Sequence, residues 1–266
     1  MEIDPIRVVL AGYGHLGLEL AAGLEKDEGF AVVGVTRRSV DSSTVALPSG
    51  RTVPLSADLA ELLIETQALV LLDATTAEAA AKNARIALTH GVPPVIATTG
   101  LSSEAIETID GLCAERGLGA AIVPNFALGA AVLLHLSRIA AQHFDWAEII
   151  ELHHDRKADA PSGTSLHIAR EMVESRGQDF KRAETSKFTL ADVRAGQQGG
   201  VGIHSIRLPG FVAHQEVIFG GLGQTLTLRH DSTSRESFMP GALASIRYVL
   251  TSTGVTIGLD KVLGLE

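Results

Sequence analysis

The stretch IRVVLAGYGHLGLELAAGL, residues 6–24, decides the fold of this chain. Residues 6–11 form a short apolar run that stops at Gly12, and Leu16, Leu20 and Leu24 then recur at four-residue steps. That is a strand passing through a tight turn into a helix. A second β-rich run, residues 30–35, follows after KDEG and completes a βαβ unit of the usual length. GYGHLG, residues 12–17, places the G-x-G-x-x-G spacing where the strand gives way to the helix. There the first glycine permits the turn, the second lets backbone approach a pyrophosphate, and the third allows helix and strand to pack closely. The free N–H groups and partial positive charge of the helix start face the phosphates. Gly12, Tyr13, Gly14, His15, Leu16 and Gly17 are therefore expected at a dinucleotide, with no chemistry of their own assigned to the Tyr13 and His15 side chains.

The pattern continues outward. Strands are predicted at 69–73, 94–98 and 120–123, alternating with helices at 77–89 and 103–115, which argues for a parallel, doubly wound α/β sheet of Rossmann type. After Asn125 the pattern changes. Residues 127–143 read as a helix, 146–153 as a strand and 163–175 as a helix capped by PSGTS. Residues 178–200 are polar and charged, and read as a long loop, whether a lid or disordered. Strands at 202–207, 211–219 and 225–229 follow, separated by LPG and GGLG turns, so the second half is expected to be an α+β domain on a mixed or largely antiparallel sheet with helices on one face. Residues 235–250 are helical again, and a short tail follows. Trp146 belongs in the core or at an interface, as aromatic residues usually do.

Composition narrows the function. The chain has 266 residues, a net charge of −9, and 22 Lys and Arg scattered without a stripe, so nucleic acid and anionic membrane are poor partners. No long apolar run or export signal is evident, and a soluble cytoplasmic protein is expected. Cys113 is the single cysteine, which rules out an internal disulfide and a cysteine-based zinc site within one chain; it is expected to be a small apolar residue on a helix. No metal is called for. Any phosphate or carboxylate must be held locally, by helix N-termini and a few placed cations.

The end of the second strand bears on the choice of nicotinamide cofactor. An NAD site usually offers an acid there, whereas arginine accommodates a 2′-phosphate. The chain reads VTRRS, residues 35–39, so Arg37 and Arg38 favour NADPH over NADH unless they are merely solvated loop charges.

HHDRKADAPSGTS, residues 153–165, puts His153, His154 and Lys157 beside a helix start. The N–H groups of Gly163 and Thr164, with the hydroxyl of Ser162 or Thr164, can bind a carboxylate, while histidine and lysine can move protons. Strand alternation keeps the two histidines from facing one pocket unless the backbone there is irregular. A solvated strand end followed by an ordinary capped helix remains the plainer alternative.

This segment resembles the signature of the 4-hydroxy-tetrahydrodipicolinate reductase family, close to H-H-x-x-K-x-D-A-P-S-G-T, with every defined position present. GYGHLG is similar to the family's cofactor turn, ATTG (97–100) to its G-T-T-G, PNFALG (124–129) to its P-N-F-S-x-G, and residues 202–238 to its second signature. Ala97 replaces a glycine, Ala127 a serine, and Thr36 stands where many members carry an acid. The resemblance implies that His153 and Lys157 transfer protons and that His154, Lys157, Gly163 and Thr164 hold the carboxylates of a small dicarboxylate substrate. It also implies that Thr98, Thr99, Gly100, Asn125 and Phe126 border the nicotinamide. Residues 1–126 with 235–266 would bind the dinucleotide, residues 127–234 the substrate and the other subunits of a homotetramer. Two rivals share the nucleotide fold: another two-domain reductase, of homoserine or sugar type, and a nucleotide-binding protein without catalysis. PSGT after HH-x-x-K speaks against the first, and the intact His153 and Lys157 against the second.

Overall fold

Apolar runs near the N-terminus are short and rich in β-branched residues, and the chain turns them into buried strands separated by helices. A computed structural model describes residues 4–190 and 193–265. In chain order, the first stretch carries β1 (Ile6–Ala11), α1 (His15–Leu24), β2 (Phe30–Thr36), β3 (Thr44–Ala46), β4 (Thr52–Ser56), α2 (Leu59–Glu65), β5 (Val70–Asp73), α3 (Ala77–Thr89), β6 (Pro94–Ile96), α4 (Ser103–Arg116) and β7 (Gly119–Ile122). The middle stretch carries α5 (Leu128–Ala141), β8 (Trp146–His153), α6 (Gly163–Arg176), β9 (Gly196–Gln198), β10 (Val201–Arg207), β11 (Ala213–Gly221) and β12 (Gln224–Ser232). A 3₁₀ turn (Arg235–Phe238), α7 (Met239–Val249), β13 (Gly254–Ile257) and α8 (Leu259–Val262) complete it.

Two compact units result: the chain up to Leu128 with Glu236–Leu265, and Gly129–Arg235. The first is built on an eight-stranded sheet of order β13-β7-β6-β5-β1-β2-β4-β3, parallel except for the β3–β4 pair. Val9, Ala11 and Leu71 pack on α2 and α3, while Val8, Leu10, Val70 and Leu72, of opposite parity, are equally buried. Burial on both faces is what a parallel sheet with helical crossovers requires. From β1 the chain moves to β2 on one side and later to β5 on the other, so strand order reverses at β1. Ligands of open α/β sheets bind beyond the strand C-termini at such a reversal.

The second unit holds a mixed five-stranded sheet, β12-β11-β8-β10-β9, in which only β8 and β10 run parallel. Ala147, Ile149, Val201, Ile203, Val217 and Phe219 form one face and pack on Leu133 and Leu134 of α5 and on Ile168, Ala169 and Met172 of α6. Phe219 is wholly buried, with the Phe144 and Phe180 rings 5.7 and 6.4 Å from its own. Phe219→Ala is expected to cost about 3–5 kcal/mol of stability, read as a lower urea midpoint.

Several expectations change. The hairpin β3–β4, helix α2 and the strand and helix of the supposed tail, β13 and α8, were not foreseen. The first helical turn of the stretch after 235 is 3₁₀. Segment 178–200, of which residues 191 and 192 lie outside the description, is not structureless at its ends. Phe180 is buried in the core, its N–H donates to the Gly199 carbonyl at 3.0 Å, and β9 pairs with β10. Gly200 stands where a Cβ would lie 2.0 Å from the Phe180 carbonyl oxygen, so the backbones close on each other there. Trp146 is 41% exposed and is not core. Cys113 is buried, and burial, aided by Asp110, pushes its thiol up to about 11. No helix among the described residues is long and apolar enough to cross a membrane.

Candidate active site

Because the strands of the first unit run parallel, the residues that follow them gather at one edge. Gly12 to Gly17 follow β1, Arg37 and Arg38 follow β2, Thr98, Thr99 and Gly100 follow β6, and Asn125 and Phe126 follow β7. The three glycines of the turn differ in what surrounds them. Gly12 has φ +85°, with the Ala74 carbonyl oxygen 2.9 Å from where a Cβ would stand. Where a Gly14 Cβ would stand, no other described part of the chain comes within 4 Å, and Gly14 precedes α1 without a side-chain cap. At Gly17 a Cβ would stand 2.1 Å from the Gly12 carbonyl oxygen. One glycine turns the chain, one leaves room at the helix start, and one lets the helix close on the turn.

Other partners fix the surroundings of that turn. Tyr13 donates its hydroxyl to the Ala46 carbonyl at 3.1 Å, tying the turn to β3, and the Arg37 guanidinium stands 5.9 Å from its ring centre. Arg37 and Arg38 are exposed, whereas Thr36 is buried. Asp73, wholly buried at the end of β5, accepts from the Thr75 N–H and hydroxyl and from Asn83 at 2.8, 2.5 and 2.8 Å, which shapes the segment beside Gly12. Burial pushes its carboxyl up despite those donors. Asn125 accepts from the Ala127 N–H at 3.0 Å, and the Phe126 side chain is buried, so Phe126 can offer a ligand only its backbone.

In the second unit, β8 alternates buried and partly buried positions: Ala147, Ile149 and Glu151 face the helices, and His153 follows on the same side. The strand ends at His153. Beyond it the Lys157 N–H donates to the His154 carbonyl at 3.2 Å, a reverse turn that brings Lys157 back, its ammonium 2.7 Å from the Asp159 carboxylate. That irregularity answers the alternation problem in part. His154 lies outside the strand, and its Nδ1 is buried without a hydrogen-bond partner among the described residues.

Ser162 caps α6. Its hydroxyl accepts from the Ser165 N–H at 3.2 Å and lies 2.7 Å from the Ser165 hydroxyl, which donates to Gln215 at 2.8 Å. The Ser162 hydroxyl is engaged as a buried cap, next to the Gly163 and Thr164 N–H groups with which it is expected to meet a carboxylate. Gly163 and Thr164 supply the N–H groups that helix geometry leaves without intrahelical acceptors, and nothing lies within 4 Å of where a Gly163 Cβ would stand.

Glu151 is wholly buried at the centre of this region, a residue for which the sequence reading gave no role. Arg207 donates to its two carboxylate oxygens at 2.9 and 2.7 Å, the Ser162 N–H donates at 3.3 Å, and His153 Nδ1 and Ser205 also bond to it. Burial pushes the Glu151 carboxyl up, but the bonds from Arg207, Ser205 and His153 together hold it below the usual range. Arg207 and Asp159 were likewise unassigned. The available signal was an acid at a core-facing strand position two residues before a histidine, since a buried charge needs a partner.

Profiles described as dihydrodipicolinate reductase, N-terminus and C-terminus, match residues 6–126 and 129–263. The chain belongs to the dihydrodipicolinate reductase family. The 4-hydroxy-tetrahydrodipicolinate reductase of Dehalococcoides mccartyi (strain CBDB1) is 44% identical over 265 residues, 99% of this chain and 100% of the relative. The enzyme of that name from Moorella thermoacetica is 46% identical, covering 98% and 99% of the two chains. A dipicolinate-bound dihydrodipicolinate reductase from Paenisporosarcina sp. TG-14 superposes with a TM-score of 0.88 at 36% identity, over 97% of this chain and 99% of that one. A dihydrodipicolinate reductase is an NAD(P)H-dependent oxidoreductase with a Rossmann-type unit, and both the parallel sheet and the mixed sheet of this chain fit that family.

Proposed function

We propose that the chain reduces 4-hydroxy-2,3,4,5-tetrahydrodipicolinate to 2,3,4,5-tetrahydrodipicolinate, a step of lysine and diaminopimelate biosynthesis, with NADPH preferred over NADH. The observation that carries this reading is the run of residues 153–165, folded as strand end, reverse turn and capped helix start, in a chain similar to enzymes of that name over its whole length.

The first unit, in the proposed division residues 1–126 with 235–266, fits the dinucleotide: the free space at Gly14 and the uncapped start of α1 suit a pyrophosphate. Arg37 and Arg38 would hold the 2′-phosphate, and Thr98, Thr99, Gly100, Asn125 and the Phe126 backbone the nicotinamide end. Bound there, the reduced cofactor supplies hydride. In residues 127–234, the Gly163 and Thr164 N–H groups take one substrate carboxylate, while His154 and Lys157 take the other. His153 and Lys157 exchange protons with the ring as the 4-hydroxyl leaves as water and the neighbouring carbon is protonated. Holding both carboxylates fixes the ring, and that positioning contributes to the rate as surely as the acid does.

Following NADPH and NADH oxidation with substrate generated in place by the preceding synthase tests the activity; oxidation of neither nucleotide overturns it. Replacing Arg37 and Arg38 together by alanine is expected to raise the KM for NADPH about tenfold or more while leaving that for NADH within twofold. Equal changes for both nucleotides would assign the arginines to solvent. The assembly we infer is a cytoplasmic homotetramer joined through the second unit, and light scattering should read the mass of four 27.9 kDa chains.

A further inference from the structure

Along β8 the side chains of Ala147 and Ile149 serve apolar packing, and the next position on that face carries a carboxylate. Glu151 is held there from three elements. Arg207 of β10 grips both its oxygens, His153 of its own strand bonds to Oε2, and the Ser162 N–H at the start of α6 bonds to Oε1 at 3.3 Å. Arg207 also donates to the Asp159 carbonyl at 2.7 Å, so the clamp fixes the turn that carries Lys157 as well. An ionised carboxylate only accepts hydrogen bonds. The atom of His153 that meets it must therefore bear the proton, and in a neutral imidazole the other nitrogen is then the unprotonated one.

We propose that Glu151, locked by Arg207, is a positioning residue that fixes His153 as the Nδ1–H tautomer and reserves Nε2 for proton exchange with substrate, while its second oxygen holds the start of the anion-binding turn. One buried carboxylate thus aligns the proton-transfer group and the carboxylate cradle. The inference rests on the proton-transfer role given to His153 above. The charged groups facing His153 are Glu151 from its own strand, Arg207 from β10 and Lys157 from the following turn. Burial pushes the imidazole down, Glu151 pulls it back up, and Lys157 and Arg207 push it down again, leaving it below the ordinary histidine value. Removing the Glu151 charge must then lower it further.

The test is Glu151→Gln in the full chain, which keeps the shape and removes the charge. The expected result is a fall in kcat of at least about tenfold with an NADPH Kd within twofold of the parent. The Nδ1–H share of the His153 ring nitrogen signals should fall, because an amide can turn either its oxygen or its NH2 to the ring and no longer enforces that tautomer, and their titration midpoint should move to lower pH. A kcat within twofold of the parent overturns the proposal, as does a fall in kcat with unchanged tautomer and midpoint. In a His153→Ala background Glu151→Gln should add little further loss of kcat, because its effect on proton transfer has nothing left to act on, while its hold on the anion-binding turn is read separately as a raised substrate KM; a full additional loss of kcat also overturns the proposal. Should His153→Ala alone leave turnover intact, the role of His153 fails, while the nitrogen signals still report what Glu151 does to the ring. If Glu151→Gln does not fold, Glu151→Asp is read in the same way: the shorter carboxylate must disturb both kcat and the His153 signals, and no change in either overturns the proposal.

Discussion

Lys157→Ala is expected to lower kcat by about 10²- to 10⁴-fold, the usual contribution of a placed acid or base, with the NADPH Kd unchanged. The side chain is 21% exposed and is drawn back toward the end of β8 by the turn from His154. Its ionic partner Asp159 is 59% exposed, so breaking that pair costs little stability and the kinetic effect is read on a folded protein. The hydrogen bond from Lys157 is also the first cause of the lowered Asp159 carboxyl, which stays ionised at neutral pH with or without it. Lys157→Arg separates the two roles proposed for the residue. Arginine keeps the positive charge for a carboxylate but gives up no proton near neutrality. It is expected to restore the substrate KM toward the parental value without restoring kcat. His153→Ala should behave as Lys157→Ala does. Near-parental turnover together with collapsed NADPH binding in either alanine variant would reverse the assignment of roles.

Gly17→Ala is expected to weaken NADPH binding roughly 5- to 150-fold and to lower the thermal midpoint, in line with about 1–3 kcal/mol for forcing an atom into closed space. The added Cβ would stand 2.1 Å from the Gly12 carbonyl oxygen. Both partners are backbone, so relief requires α1 to lift from the turn that presents its N–H groups. Gly14→Ala provides the contrast. Its Cβ would meet no other described part of the chain within 4 Å, so stability should hold while NADPH affinity falls. Fluorescence titration with calorimetry separates the two variants. Unchanged affinity in Gly14→Ala would move the pyrophosphate away from this turn.

What the sequence disclosed follows from the range over which each signal acts. β1, α1 and β2 were legible because an apolar run, a glycine turn and a four-residue repeat lie within about thirty residues. β3 is three residues long with both ends exposed, and carries no periodicity to read. β13 reads GVTI, and its strand character comes from a parallel pairing with β7, Gly254 opposite Gly119, that no local pattern encodes. The site divides in the same way. His153, Lys157 and the PSGT helix start stand together in sequence, whereas the Glu151–Arg207 pair joins residues 56 apart. Ser162 is ambiguous in sequence: its type suits both a ligand contact and a helix cap, and the bonds with Ser165 that make it a cap are visible only in the fold.

The pairing of β13 with β7 also orders events during synthesis. A ribosome delivers β1 through β7 first, then the whole Gly129–Arg235 unit, and only afterwards the strand that covers the far edge of the first sheet. Until then β7 presents unpaired N–H and carbonyl groups, an invitation to mispairing. The intervening unit is complete in sequence before its host and can fold while the host waits. Chains ending just short of Gly254 should accordingly carry a first unit with a sticky, uncovered sheet edge and a finished Gly129–Arg235 unit, and cutting 129–235 out for a short linker, rather than truncating after β7, is the way to obtain the first unit alone.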